Sequence, residues 1–194
     1  MTAADFRPNG YRITVMTVRS LPCALCLCLL LPALASAQAA PPPRPSRGAI
    51  LAASRDVIAK ARYCTFITIA ADGHPQARIV DPLGPDEGFM IWVATNPLTR
   101  KVDEVRRNAR VTLSCFEAAS SSYVTIIARG ELIADAAEKA RHWKAEWTPF
   151  YPNGAKGTDV VLIRLSPLRL EIVSTERGMA GNPKTWRPLT VTFP

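Results

Sequence analysis

Histidine is scarce in this 194-residue chain, which carries only His74 and His142. His74 sits at a turn signal and His142 in a charged, helix-patterned stretch. A metal site needs several ligands at workable spacing, and two isolated histidines do not supply one. The sequence has no Gly-rich nucleotide loop and no G-x-S-x-G nucleophile elbow. Ser120, Ser121 and Ser122 share a small-residue loop, but no base accompanies them. A lysine-rich arm is missing and the aromatics are not spaced as stacking platforms. Nucleic acid is therefore not an expected partner, despite a formal net charge of +8. Past residue 37 no apolar run could act as a stop-transfer segment, so no stable membrane span is expected in the cleaved chain.

What the chain does have begins at Met16. Met16-Thr-Val-Arg19 supplies one positive charge, Leu21 to Leu34 is strongly apolar, and Ala35-Ser36-Ala37 is a small-residue cleavage site. That order is the secretory pattern, and it predicts export to the periplasm or beyond with cleavage near Ala37. Residues 1–15, with Asp5, Pro8, Asn9 and Gly10, do not belong to such a signal, so Met16 reads as the true start. Cys23, Cys26 and Cys28 leave with the signal, which sets aside a metal reading of their close spacing. Removal of residues 1–37 takes away three arginines and one aspartate and leaves a charge of about +6, which favours an anionic partner. Cys64 and Cys115 remain. They can pair in an oxidising compartment, but each sits in an apolar strand-like run, and the reading is two buried free thiols.

Residues 38–48 form a Pro-rich spacer, and residues 49–194 form one domain. A helix is expected over 49–61, with Ile50, Leu51, Val57, Ile58 and Ala61 on one face. Tyr63–Ala70 and Pro75–Val80 read as strands joined by the turn Ala71-Asp72-Gly73. Further strands are expected over Phe89–Thr95, Arg110–Glu117 and Tyr123–Ile133. A helix over Pro97–Asn108 carries Leu98, Val102 and Val105 along one side. A second helical pattern spans 135–147, with Asp135 as N-cap, Glu138 completing a capping box, and Trp143 and Trp147 on one face. Asp159–Leu165 is a strand, Leu168–Val173 a last strand or its return, and Leu189–Phe193 can pair again. Strands and helices do not alternate regularly, which argues against a doubly wound sheet. The pattern predicts a mostly β fold, a six- to seven-stranded antiparallel barrel with two or three short helices.

Polar chemistry concentrates where the third strand meets the following helix, at Thr95, Asn96, Thr99, Arg100 and Lys101. Arg100 and Lys101 can pair with a phosphate, and the threonine hydroxyls and helix-start amides add donors. Arg78 on a neighbouring strand can add a second guanidinium. A solvated basic helix end is the alternative reading of the same residues.

The series Ala77-Arg-Ile-Val80, Phe89-Met-Ile-Trp-Val-Ala-Thr95, Leu98-Thr-Arg-Lys101 and Asn108-Ala-Arg-Val-Thr-Leu113 resembles the pyridoxamine 5'-phosphate oxidase-like flavin-binding split barrels. It is closest to the general-stress-protein branch, and the likeness covers roughly residues 52–173. The resemblance implies a split barrel that forms a homodimer with FMN at the subunit interface. By this match Arg78 lies near the flavin and its phosphate, Ile79 and Val80 set backbone against the ring, and Thr95 lies near the phosphate or ring edge. Thr99, Arg100 and Lys101 form the phosphate-binding run, and Gly130 matches a recurrent glycine of the fifth strand. Trp147 and Phe150-Tyr-Pro-Asn-Gly154 resemble the aromatic stretch of that branch, while Trp143 is expected in the core. The pyridoxal-phosphate set of the true oxidase is not recognisable at Arg177, Trp186 and Arg187. The expected function is thus an FMN-dependent oxidoreductase whose substrate and electron donor the sequence does not name. A non-catalytic flavin or haem binder and a deazaflavin-dependent reductase are the alternatives.

Overall fold

The computed structural model describes residues 44–194. The export signal, Met16 and the first part of the Pro-rich spacer lie outside the described residues.

Helix α1 spans Arg47–Ala61, and the Ser46 side chain accepts from the Ala49 amide to satisfy one of its free N-terminal donors. Its face of Ile50, Val57 and Ile58 is buried against the sheet. The one hydroxyl on that face, on Ser54, donates to the Ile50 carbonyl at 2.8 Å and so needs no water.

Seven strands follow: β1 (Cys64–Ile69), β2 (Pro75–Val80), β3 (Ile91–Thr95), β4 (Arg110–Glu117), β5 (Ser122–Ile133), β6 (Val161–Val173) and β7 (Leu189–Thr192). Helix α2 (Arg100–Arg107) separates β3 from β4, and α3 (Ala136–Arg141) follows β5. All pairings are antiparallel, in the order β2-β1-β4-β5-β6-β3, with β7 also on β6. The result is an open, split barrel. In β1, Cys64, Phe66 and Thr68 point inward while Thr65, Ile67 and Ile69 do not, as period-two alternation requires. The core collects Phe66, Leu113, Ile126, Ile163, Leu165 and Leu170.

Three expectations change. Cys64 and Cys115 are register partners on β1 and β4, and they are joined as a disulfide rather than left as free thiols. Directly opposed side chains on one face of an antiparallel pair are near enough to bond. Second, residues 161–173 are one continuous strand, not a strand and its return. The pairing slips between Ile127 and Ala128, whose partners are Arg169 and Pro167, so Leu168 is the extra residue of a bulge. A bulge is where a strand tolerates proline, which has no amide to donate. Third, the helix expected over 135–147 stops after Arg141, and residues 145–147 form a separate 3-10 turn. Tertiary contacts outweigh the helical pattern there. The His142 ring stacks on Trp92 at 3.8 Å, and Lys144 Nζ donates to Asp81 at 2.9 Å and to the Pro82 carbonyl at 2.8 Å. Asp135 nonetheless caps α3 as expected, accepting from the Glu138 amide.

Candidate functional site

Strand β3 ends at Thr95, and Asn96 starts a turn in which its side chain accepts from the Leu98 amide at 2.8 Å. The Thr99 amide donates to the Asn96 carbonyl at 3.1 Å. Residues 97–99, expected as helix, are therefore turn, and α2 begins one turn later with Thr99 at its N-cap. Asn108 closes it as expected. Three predicted site residues meet here. Lys101 Nζ donates to Thr95 Oγ1 at 3.0 Å, and that oxygen lies 3.2 Å from Thr99 Oγ1.

Gly130 sets how closely α2 approaches the sheet. A side chain there would put its first carbon 3.2 Å from a Val105 methyl and 3.3 Å from a Val111 methyl. The absence of a side chain on β5 lets α2 settle onto the sheet.

Arg78 points into this same cluster from β2, but its charge is already matched. One guanidinium nitrogen bonds Glu104 on α2 at 2.7 Å, and the other donates to Thr68 and to the Gln76 carbonyl at 2.7 Å. Thr68 in turn donates to the Glu104 carboxylate. Glu104 is buried, which works to raise its pKa. The Thr68 hydrogen bond and the Arg78 guanidinium outweigh burial and hold the carboxyl below its ordinary value. Glu104 and Thr68 were not singled out in the sequence. The available signal was an acid beside Val102 and Val105 on the apolar side of α2.

Lys101 is different. Among the described residues no carboxylate lies within salt-bridge range of it. Burial first, and the neighbouring Arg78 charge second, push its ammonium below the usual lysine value. The Glu104 carboxylate pulls the other way, but less strongly, and a half-buried cation with no ion-paired acid favours the arrival of an anion. Arg100 is exposed at the start of α2 and adds charge on the solvent side.

Ile79 and Val80 diverge. The Val80 side chain joins the core, whereas Ile79 is 66% exposed. Both lie on β2, which among the described residues pairs with β1 alone, so that its other edge has no strand partner there. None of the five principal cavities is lined by Arg78, Thr95, Thr99, Arg100 or Lys101. These residues form a shelf with Thr95 buried at its base, Arg78, Thr99 and Lys101 part-buried, and Arg100 exposed. The outward face of the sheet, opposite the face that Arg78 and Thr68 occupy, carries Ile67, Ile69 and Ile127 around a shallow hollow with the exposed Leu168.

The aromatic stretch sits elsewhere. Trp147 is buried with Trp92 and Leu162 in a small satellite cluster, against which the part-buried Trp143 packs edge to face. Phe150 is exposed. In the tail, Arg177 is bonded to Asp56 at 2.6 Å and Glu117 at 2.8 Å, while Trp186 and Arg187 are exposed. The tail arginines do not converge on one site.

The sequence profile of the pyridoxamine 5'-phosphate oxidase family matches residues 50–174. The chain belongs to this family. A protein related to general stress protein 26 from Clostridium acetobutylicum has a similar fold, with TM-score 0.62 and 17% identity, over 74% of this chain and 94% of that one. An FMN-binding family member from Nostoc punctiforme gives TM-score 0.51 and 17% identity, over 78% and 98%. A haem-binding protein from Mycobacterium smegmatis gives TM-score 0.56 and 19% identity, over 77% and 59%. These identities establish a shared fold. No curated protein matches the chain. Of these neighbours of similar fold, one is described as binding FMN and another as binding haem.

Proposed function

We propose that this chain is an FMN-binding oxidoreductase of the oxidase-like family, exported from the cytoplasm and active as a homodimer. The observation that carries the reading is Lys101, a half-buried ammonium with no carboxylate in salt-bridge range among the described residues, set among Thr95, Thr99 and the start of α2. That donor set suits a phosphate monoester. Lys101 and Arg100 would balance the phosphate charge, and the two threonine hydroxyls would fill remaining acceptor positions. Arg78, with its charge matched by Glu104, would raise the local potential rather than act as the main phosphate ligand. The free edge of β2 at Ile79 and Val80 would supply backbone donors and acceptors to a flat ring. When bound, FMN supplies hydride chemistry at its ring, and the protein contributes position, charge and exclusion of water.

The shelf is open in a single chain. The outward face of the sheet carries the apolar hollow of Ile67, Ile69 and Ile127, a surface that a second copy would cover. The Cys64–Cys115 disulfide supports an oxidising destination.

The test is an absorbance spectrum of the gently purified mature protein, with mass analysis of any small molecule released. A flavin spectrum and an FMN mass are expected. Replacing Arg100 and Lys101 with alanine should remove both. Colourless protein that also fails to take up added FMN would refute the proposal. A Soret band or a deazaflavin mass would redirect it to the corresponding cofactor.

A further inference from the structure

A second concentration of positive charge lies on the far side of α2. Between α2, the end of β5, α3 and the start of β6 there is a cavity of about 360 Å³. Val102, Leu132 and Val161 supply apolar wall, and three cations, Arg106, Lys139 and Lys156, also line it. No acid is among its lining residues.

Lys139 is the unusual member. Lysine is almost never fully buried without a paired acid, yet Lys139 is only 4% exposed and no carboxylate of the described residues pairs with it. Its ammonium donates to the Gly157 carbonyl at 2.6 Å and the Val160 carbonyl at 3.3 Å. Those two bonds anchor the loop that forms one side of the cavity. They use two of the three donors that an ammonium carries. Asp159, between the two carbonyls in sequence, does not line the cavity. Its side chain lies over Gly157 and acts electrostatically on Tyr151. Arg106 has an acid of its own, Asp103 at 2.8 Å, on the exposed side of the helix. Lys156 is exposed.

We infer that this cavity is a second binding site, separate from the Lys101 shelf, for a small organic anion with an apolar body. The apolar walls would take the hydrocarbon part, and Lys139 with Lys156 and Arg106 would neutralise a carboxylate or sulfonate head. The shape follows the usual division of ligand pockets into apolar lining and a few convergent polar groups.

The test compares 4-phenylbutyrate with 4-phenylbutanol, which has the same body and no charge, by chemical-shift titration of the mature protein. The carboxylate is expected to bind at least tenfold more tightly and to shift amides of residues 132–139 and 156–161. Arg106→Gln combined with Lys156→Gln, both at exposed positions, should weaken it about tenfold. Lys139→Met should weaken it further, with the amide spectrum serving as the check on folding. Lys101→Met should leave 4-phenylbutyrate binding unchanged while weakening FMN. Equal binding of acid and alcohol, no binding of either, or no loss in the Arg106/Lys156 double variant would each overturn the inference. So would loss of 4-phenylbutyrate binding in Lys101→Met, which would place the anion on the flavin shelf instead.

Discussion

Lys101 and Glu104 sit three residues apart on one helix and carry opposite consequences for stability. The Lys101 pKa is lowered in the fold, so the unfolded chain holds that proton more tightly. Lys101 therefore costs stability at neutral pH, and the cost fades as pH rises from the lowered value toward the ordinary lysine value. Lys101→Met should raise the melting temperature of the cofactor-free protein while weakening FMN binding. Calorimetry of the two proteins, with and without FMN, checks both halves, and a lower Tm in the variant would contradict the account. Glu104 runs the other way. Its pKa is lowered, so its contribution is complete above the ordinary glutamate value and is lost as pH falls through the folded-state value. Arg78→Met leaves the buried carboxylate with the Thr68 hydroxyl but no paired cation and should cost about 3 kcal/mol, read by urea unfolding at neutral pH. Glu104→Gln should flatten the acid limb of the stability profile. The sequence made Arg78 and Lys101 visible because cations near a strand end and a helix start are a local signal. Their division of labour was not visible, because Glu104 and Thr68 reach them from other elements.

At the scale of elements, each strand with clean alternation could be read from the chain. β4 was legible to the residue, and β5 differed only by Ser122. What failed were the places where a distant partner decides. The 135–147 pattern has helical spacing, yet Trp92 and Asp81, far earlier in the chain, break it by binding His142 and Lys144. The disulfide depends on β1 lying beside β4, a pairing that no local pattern reveals. It closes a sequence separation of 51 residues, and chain-entropy arguments give its loss a cost of about 4 kcal/mol. Replacing both cysteines with serine should lower the urea midpoint accordingly, provided that the slope stays constant. Gly130 marks another such contact. Gly130→Ala would force its new methyl against Val105 and Val111, and a loss of about 1–3 kcal/mol is expected. An unchanged midpoint would show that α2 can yield.

For the whole molecule, the open sheet face is the feature that a single chain leaves unfinished. If a second copy covers it, light scattering of the mature protein should report a dimer. Leu168→Glu, a charge placed on the exposed bulge, should shift the mass toward the monomer and weaken FMN with it. A dimer that persists would place the interface elsewhere. The barrel class was legible because turn signals and apolar alternation recur along the chain. The closure of the barrel was not, because it depends on β6 serving several neighbours. Along its first half β6 pairs with β3, along its second half with β7, and along nearly its whole length with β5. Completion of the sheet therefore depends on β6. While a ribosome is still making residues before Val161, β3 has no sheet partner and β5 keeps one open edge. The barrel becomes possible only when Val161–Val173 emerges. Until then the sheet is incomplete, which would suit a polypeptide that, as proposed above, leaves the cytoplasm unfolded through a pore.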